Sequence, residues 1–134
     1  MNSRYIVLDT SFLMALTELR FLSLGDLRKF YPNARLVTTK SVVKELESFL
    51  KGKRRVAASV ALQVIEKHGI SVDGRYCGEA DDDVMALAKE LGAVVATFDL
   101  ELKERLLKEG VPVIYLRAGK KLVLDDPLRL SKES

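Results

Sequence analysis

The chain has 134 residues, 48% of them hydrophobic and 31% charged, which is enough for the buried core of one domain and too short for two ordinary domains. The formal net charge of +3, from 22 Lys and Arg against 19 Asp and Glu, is too small a surplus to establish a nucleic-acid partner. One cysteine and one histidine exclude a disulfide framework and count against a Cys/His zinc site, and no apolar run reaches the roughly 20 residues of a membrane-spanning helix.

The N-terminal segment runs straight into a strand-like stretch and does not have the layout of a signal peptide. We therefore expect a cytoplasmic protein without a membrane-bound part, and the single thiol of Cys77 fits a reducing compartment. We treat residues 1–134 as one domain, with its core at about 5–116 and a peripheral hairpin arm and tail at 117–134.

Short apolar runs alternate with stretches of helical spacing along the whole chain. In chain order they predict a strand at 5–8, helices at 12–22 and 25–31, a strand at 35–38, helices at 40–52 and 54–68, and a strand at 70–72. The second half predicts a helix at 80–91, a strand at 93–96, a helix at 100–108, a strand at 113–116 and a hairpin arm at 120–124. Helices between continuously apolar strands imply right-handed crossovers, so the predicted fold class is α/β, a three-layer α/β/α sandwich around a mostly parallel sheet.

Two carboxylates follow predicted strands at the point where each strand ends. Asp9 comes after the first strand, and Asp99 comes shortly after the strand at 93–96. In open α/β sheets, ligands bind beyond the carboxyl ends of the strands, where the strand order reverses. If these two strands are neighbours there, both carboxylates face one crevice and repel each other unless a cation or a proton lies between them.

Three consecutive acids, Asp81, Asp82 and Asp83, open the helix predicted at 80–91. Acids at this position ordinarily complement the helix dipole and cap free N–H groups. At about 100° per residue, Asp81 lies within roughly 50° of the centre of the apolar face, whereas the other two lie more than about 100° away. We expect Asp81 to face inward, where a carboxylate needs a partner, and we rank it first as a metal ligand and Asp82 second.

Glu45 and Glu47 flank the apolar stripe of the helix predicted at 40–52, and the spacing does not choose between them. A cluster of Asp9, Asp81, Asp99 and one glutamate would offer only oxygen ligands, which favour Mg²⁺ or Mn²⁺ over zinc. Such a site suits metal-assisted hydrolysis of a phosphodiester, because one ion activates a water and a second stabilises the departing oxygen.

Four separated motifs resemble those of the PIN-domain family of metal-dependent ribonucleases. They are VLDTSFL at 7–13, VKEL at 43–46, EADD at 79–82 and ATFD at 96–99. Their order is that of the family, and Asp81 and Asp99 are 18 positions apart, as the similar motif pair usually is. The resemblance covers about residues 5–116.

The resemblance implies a stand-alone ribonuclease whose catalytic carboxylates hold Mg²⁺ or Mn²⁺, and it selects one of the two glutamates. The implied metal ligands are Asp9, Glu45, Asp81 and Asp99. Three hydroxyls match small polar positions that orient ligands or a bound water: Thr10, Ser11 and Thr97. Phe98 stands where many members carry a small polar residue or Arg, and its ring could stack on a base.

The motif ADD at 80–82 and the ending GVPVIY at 110–115 look more like the subgroup related to ribosomal-RNA processing nucleases than the typical toxin. The toxin half of a toxin–antitoxin pair stays open as the alternative. RNA is the expected partner, and the sequence leaves an antitoxin, a ribosome-assembly protein and a homo-oligomer open. Two basic clusters could follow a phosphate backbone or be ordinary solvated surface: Lys51, Lys53, Arg54 and Arg55, and then Arg117, Lys120 and Lys121.

Three other functions compete with a ribonuclease. A catalytically weak PIN-like module would bind RNA or a protein without cutting, but the presence of all four acids argues against it. A flavodoxin-like phosphoacceptor protein needs an acidic pair before its acceptor, and here Leu8 precedes Asp9. A Rossmann nucleotide binder is disfavoured because neither a G-x-G-x-x-G motif nor a P-loop follows the first strand.

Overall fold

The computed structural model describes residues 4–127 of the chain. The six strands are β1 (Tyr5–Leu8), β2 (Arg35–Thr39), β3 (Ser71–Asp73), β4 (Val94–Ala96), β5 (Val113–Arg117) and β6 (Lys121–Asp125). The five helices are α1 (Thr10–Glu18), α2 (Lys40–Ser48), α3 (Arg55–Lys67), α4 (Ala80–Leu91) and α5 (Leu100–Lys108). Residues 128–134, which belong to the predicted peripheral tail, lie outside the described residues. Residues 1–3, at the start of the N-terminal segment that lacks a signal-peptide layout, also lie outside them.

The strands form one sheet in the order β3-β2-β1-β4-β5-β6. All neighbours are parallel except β5 and β6, which pair antiparallel. From β1 the chain first builds outward through β2 and β3, and it then returns to place β4 on the other side of β1. The strand order therefore reverses between β1 and β4, and the predicted α/β fold with helices on both faces of a mostly parallel sheet is confirmed.

The two central strands are buried on both faces, as parallel strands covered by helices must be. Ile6, Val7 and Leu8 of β1 pack beside β4 with no exposed surface, in register with Val94 to Ala96. Above them, Phe12 and its neighbours in α1 are equally buried. This rigid centre fixes the ends of β1 and β4, from which the site residues extend.

The element boundaries differ from the prediction mainly around the first helix. It spans Thr10–Glu18 rather than 12–22, because the chain is already extended at Leu19, with φ −116° and ψ 111°. The helix predicted at 25–31 is a 3₁₀ turn at Leu24–Lys29, begun by a capping box of Ser23 and Asp26.

The predicted hairpin arm is present as β6. Three residues, 118–120, connect it to β5, and the turn uses positive φ angles at Ala118 (54°) and Gly119 (68°), with the Lys120 N–H donating to the Arg117 carbonyl at 3.1 Å. Among the described residues, no helix is both long and apolar enough to cross a lipid bilayer.

Candidate active site

Asp9 is the first residue after β1 and is held from two sides. Its N–H donates to the Ala96 carbonyl of β4 at 3.1 Å, and its side chain is buried. The hydroxyls of Ser11 and Thr97 both donate to Asp9 Oδ2, at 2.9 and 2.7 Å. Burial raises the pKa of Asp9 even though these two hydroxyls favour its charged form.

The loop after β4 joins the same network through its backbone. The Phe98 N–H donates to Ser11 Oγ at 3.0 Å, and the Asp99 N–H donates to Thr97 Oγ1 at 3.1 Å. Asp99 is also the N-cap of α5, because its Oδ1 accepts the N–H groups of the second and third helical residues. The charge of Asp99 contributes to the raised pKa of Asp9, so the two strand-end carboxylates lie near one another.

The structure separates the two glutamates that the sequence spacing left equivalent. Glu45, on α2, accepts a hydrogen bond from Thr10 Oγ1 at 2.5 Å, and Thr10 is the residue next to Asp9. Glu47 instead lies 3.5 Å from Lys44 Nζ in an ion pair on the surface. The side chain beside the crevice is therefore that of Glu45.

Asp81, at the start of α4, lies close enough to the other three acids to be affected by all of them. Burial raises its pKa to about 6, with further contributions from the negative charges of Asp9, Asp99 and Glu45. Arg105 offsets only part of this effect, and its guanidinium pairs with the exposed Asp82 at 2.7 Å. Asp81 is thus directed toward the acidic cluster and Asp82 toward a cation on α5.

The prediction that Asp83 faces outward is wrong. Only 4% of its surface is exposed, and its Oδ2 accepts the Cys77 N–H at 3.0 Å. The segment between β3 and α4 covers the first turn of α4. It buries a side of this helix that lies away from the apolar stripe. Burial favours a higher pKa for Asp83, but hydrogen bonds from Cys77 and Ser41 outweigh it and hold the pKa below its usual value.

The acids fit a hard divalent ion by their chemistry, since every donor is a carboxylate or hydroxyl oxygen. Within residues 4–127, no three His, Cys, Asp or Glu side chains converge as a ready-made ligand set. Mg²⁺ is commonly held by one or two carboxylates with water in its remaining positions, so a converged cage is not required. The like charges that raise the pKa of Asp81 are those that a cation would neutralise.

The first basic cluster is already partly engaged with the protein. Arg54 makes two hydrogen bonds to the Glu18 carboxylate, at 3.0 and 2.8 Å, and lies over the Phe49 ring at 5.5 Å. Lys53 and Arg55 are exposed. The second cluster borders a cavity of about 380 Å³ whose lining includes two cations from the hairpin, one from the 3₁₀ turn and an exposed ring: Lys120, Lys121, Lys29 and Phe21.

Sequence reasoning missed three members of this neighbourhood: Asp83, Ser41 and Arg105. The contacts of all three cross between separate elements, and no spacing within one element indicates them.

Comparison with known proteins gives one family. The family described as PIN like domain matches residues 6–119. Ribonuclease VapC9 of Archaeoglobus fulgidus is 34% identical over 125 residues, which cover 91% of this chain and 90% of that protein. Ribonuclease VapC4 of Methanocaldococcus jannaschii is 34% identical over 92 residues, covering 63% of this chain and 68% of that protein.

Solved structures share the fold. The PIN domain endonuclease Utp24 superposes with a TM-score of 0.73 at 22% identity and covers 91% of both chains. A domain of a functionally unknown protein from Methanocaldococcus jannaschii superposes with a TM-score of 0.62 at 21% identity, covering 92% of this chain and all of that one. At these identities the likeness establishes the α/β architecture.

Proposed function

The chain belongs to the PIN-like domain family, and from this premise we propose that it is a divalent-metal-dependent endoribonuclease that hydrolyses RNA phosphodiester bonds. The observation that carries the proposal is that acids from separate elements meet at one place: Thr97 joins Asp9 to the loop of Asp99, Thr10 holds Glu45 beside Asp9, and the three charges reach Asp81 and raise its pKa. Carboxylates gathered against their own repulsion indicate a place for a cation. The names of both curated relatives support RNA as the substrate.

In this proposal four carboxylates hold Mg²⁺ or Mn²⁺: Asp9, Glu45, Asp81 and Asp99. A bound ion would supply an activated water and stabilise negative charge on the departing oxygen. Asp82 is the second choice for Asp81, but its pairing with Arg105 supports Asp81.

The neighbouring hydroxyls orient the acids. Ser11 and Thr97 both direct their protons to Oδ2 of Asp9, which fixes the rotamer and leaves Oδ1 as the oxygen not engaged by them. Thr10 orients Glu45 in the same way through its own hydroxyl. Preorganised acids of this kind need little rearrangement when the charge of the substrate arrives.

The direct test is cleavage of a labelled RNA with metal and with chelator. We expect cleavage to require Mg²⁺ or Mn²⁺, to stop in EDTA, and to be poorly restored by zinc, since the site offers neither nitrogen nor sulfur ligands. Asp9→Asn and Glu45→Gln should each lower kcat at least about 100-fold, as losing a catalytic contact typically does. Glu47→Gln is the matched control and should leave the rate unchanged.

Two outcomes would contradict the proposal. Activity undiminished by exhaustive chelation would exclude the metal mechanism. Tight RNA binding without cleavage in any metal would favour the alternative, a catalytically weak PIN-like module that binds RNA or a protein.

The identity of the RNA bound by the protein distinguishes its possible biological roles. Ribosomal-RNA processing and the toxin role of a toxin–antitoxin pair use the same chemistry and differ in the RNA that is cut. RNA crosslinked in cells to the Asp9→Asn variant distinguishes them, because only the first role predicts enrichment of ribosomal-RNA precursors. Protein partners copurified in the same experiment would test for an antitoxin or a ribosome-assembly protein.

A further inference from the structure

Arg105 is a half-exposed cation that the proposed chemistry does not use. It lies in α5, 49% of its side chain is exposed, and its Nη2 donates to Asp82 Oδ1 at 2.7 Å. Asp82 directly follows Asp81 in the first turn of α4. This contact places the Arg105 guanidinium at the end of α4 where the four acids meet.

The geometry of α5 directs the same side chain toward the acids. Asp99 is the N-cap of α5, and Arg105 comes six residues later, about 9 Å along the helix axis. Side chains of an α-helix lean toward its N-terminus, so the long side chain of Arg105 reaches back along α5 in the direction of Asp99. The positive charge of Arg105 opposes the rise in the pKa of Asp81, which agrees with this placement.

The guanidinium of Arg105 is only partly used by the protein. Within residues 4–127, its one hydrogen bond is that from Nη2 to Asp82, which leaves its other N–H groups for a ligand. Arg54, by contrast, is held by both oxygens of the Glu18 carboxylate. An arginine with free N–H groups can bind a phosphate through two parallel hydrogen bonds.

The need for a cation at this place follows from the charge of the substrate. The phosphates of RNA are repelled by the four acids, so a positive group beside the acids favours the approach of the strand. We propose that Arg105 binds a phosphate of the RNA strand beside the acidic cluster and that Asp82 holds the arginine in place when RNA is absent. This inference rests on the proposed function, because it takes RNA as the substrate.

A second ion pair between the same two helices provides a matched control. Lys89 of α4 lies 2.5 Å from the carboxylate of Glu109, the residue that ends α5, and half of the Lys89 side chain is exposed. Lys89 therefore resembles Arg105 in charge, exposure and helix pair. It lies seven residues after Asp82, roughly 10 Å further along α4 from the acids.

The test is filter binding of a labelled single-stranded RNA at several salt concentrations, with Asp9→Asn present in every protein to prevent cleavage. We expect Arg105→Gln to weaken binding about 10-fold, the loss of one charge-assisted hydrogen bond. The slope of log K against log salt should fall by about 0.7, the value for one single-strand phosphate contact. Arg105→Lys keeps the charge and should keep the slope.

The partner of Arg105 gives the opposite expectation. Asp82→Asn removes a negative charge that competes with the phosphate, so RNA should bind at least as tightly as before. Lys89→Gln removes a positive charge and breaks the other ion pair between α4 and α5, but affinity and slope should stay unchanged. In the protein that retains Asp9, Arg105→Gln should raise KM about 10-fold and leave kcat within about threefold.

Three outcomes would overturn the inference. Equal weakening by Asp82→Asn would mean that the ion pair acts through the structure, and equal weakening by Lys89→Gln would mean that any cation on these helices serves. A fall in kcat at unchanged KM would mean that Arg105 acts on the chemistry. If Arg105→Gln weakens RNA binding as expected but no metal supports cleavage, the proposed function fails and the phosphate contact stands, which distinguishes the two failures.

Discussion

Asp9 is a buried acid with a raised pKa, a combination that does not stabilise the folded protein at neutral pH. Its pKa is raised because burial and the charge of Asp99 outweigh the hydroxyls that donate to it. An acid whose charged form is disfavoured in the folded protein costs stability at neutral pH. Its presence at a strand end is therefore more readily explained by chemistry than by folding.

Asp9→Asn tests this distinction through stability. The amide keeps the shape and retains a carbonyl oxygen for the Ser11 and Thr97 hydroxyls while it removes the unfavourable charge. We expect the Tm measured in EDTA at neutral pH to be unchanged or a few degrees higher. A variant that unfolds would show instead that Asp9 is structural, and the site assignment would weaken.

Asp81 gives a pH dependence with a defined sign. Its pKa of about 6 in the folded protein lies above the ordinary value of 3.8, so the folded state holds this proton more tightly than the unfolded state does. The stability that comes from this proton is present below about pH 4 and is lost as the pH rises through about 6. Asp81→Asn should gain stability relative to the unmodified protein across this window.

Urea unfolding in EDTA at several pH values measures that difference, and comparing the two proteins cancels the titration of the other acids. A difference in unfolding free energy that stays flat from pH 4 to pH 7 would contradict the assigned surroundings of Asp81.

The positions of residues were predictable from sequence where one element decides them. Asp9 comes directly after β1 and Asp99 comes shortly after β4, and the carboxyl ends of these neighbouring strands share an edge of the sheet. Asp83 was assigned wrongly because a helical wheel recognises a buried side only by its apolar residues, and here the covering segment contributes the Cys77 N–H. The family resemblance selected Glu45 over Glu47, whereas spacing along α2 could not, because the contact that distinguishes them is with Thr10 of another helix.

At the scale of elements, α5 begins at a residue proposed to be catalytic. Asp99 Oδ1 accepts the Glu101 and Leu102 N–H groups at 2.9 and 3.2 Å, an ordinary N-cap. The same carboxylate adds its charge to the cluster around Asp81. Capping and catalysis are thus assigned to one side chain and can be separated by two substitutions.

Asp99→Asn and Asp99→Ala should differ in stability and agree in activity. Asparagine caps helices as well as aspartate does, whereas alanine costs about 1 kcal/mol of stability. We expect both variants to lose cleavage and only Asp99→Ala to lose a few degrees of Tm. Cleavage that survives in Asp99→Asn would limit Asp99 to its capping role.

The elements themselves were largely predictable because each carries its own signal. The apolar run of β1 and the glycine that ends α4 give the element and its boundary directly, and the predicted bounds of α4 and α5 match those observed. The end of α1 was misplaced because the apolar residues after Glu18 continue the helical spacing, although Leu22 packs into the core from a non-helical segment.

For the molecule as a whole, the proposed binding of RNA needs cations beyond the acidic centre. The structure favours testing Lys53 and Arg55 without Arg54, because Arg54 is held by Glu18. In an Asp9→Asn background, Lys53→Ala with Arg55→Ala should reduce the slope of log K against log salt by about 1.4, the value for two single-strand phosphate contacts.

Lys120→Ala with Lys121→Ala is the comparison, because it removes the same charge from the second cluster. Filter binding of a labelled RNA at several salt concentrations gives both slopes. An unchanged slope in the first double variant, with a reduced slope in the second, would indicate that RNA binds along the hairpin and not at the first cluster.

The strand order also determines when the acidic site around Asp9 can form during translation. β1 and β2 leave the ribosome early and can pair, but Thr97 follows Asp9 only 88 positions later. A nascent chain therefore carries Asp9 for most of its translation without the loop that completes its surroundings. If this site cuts RNA as proposed, a chain that stalls or is degraded before β4 emerges has no complete site and does not cleave the messenger RNA from which it is translated.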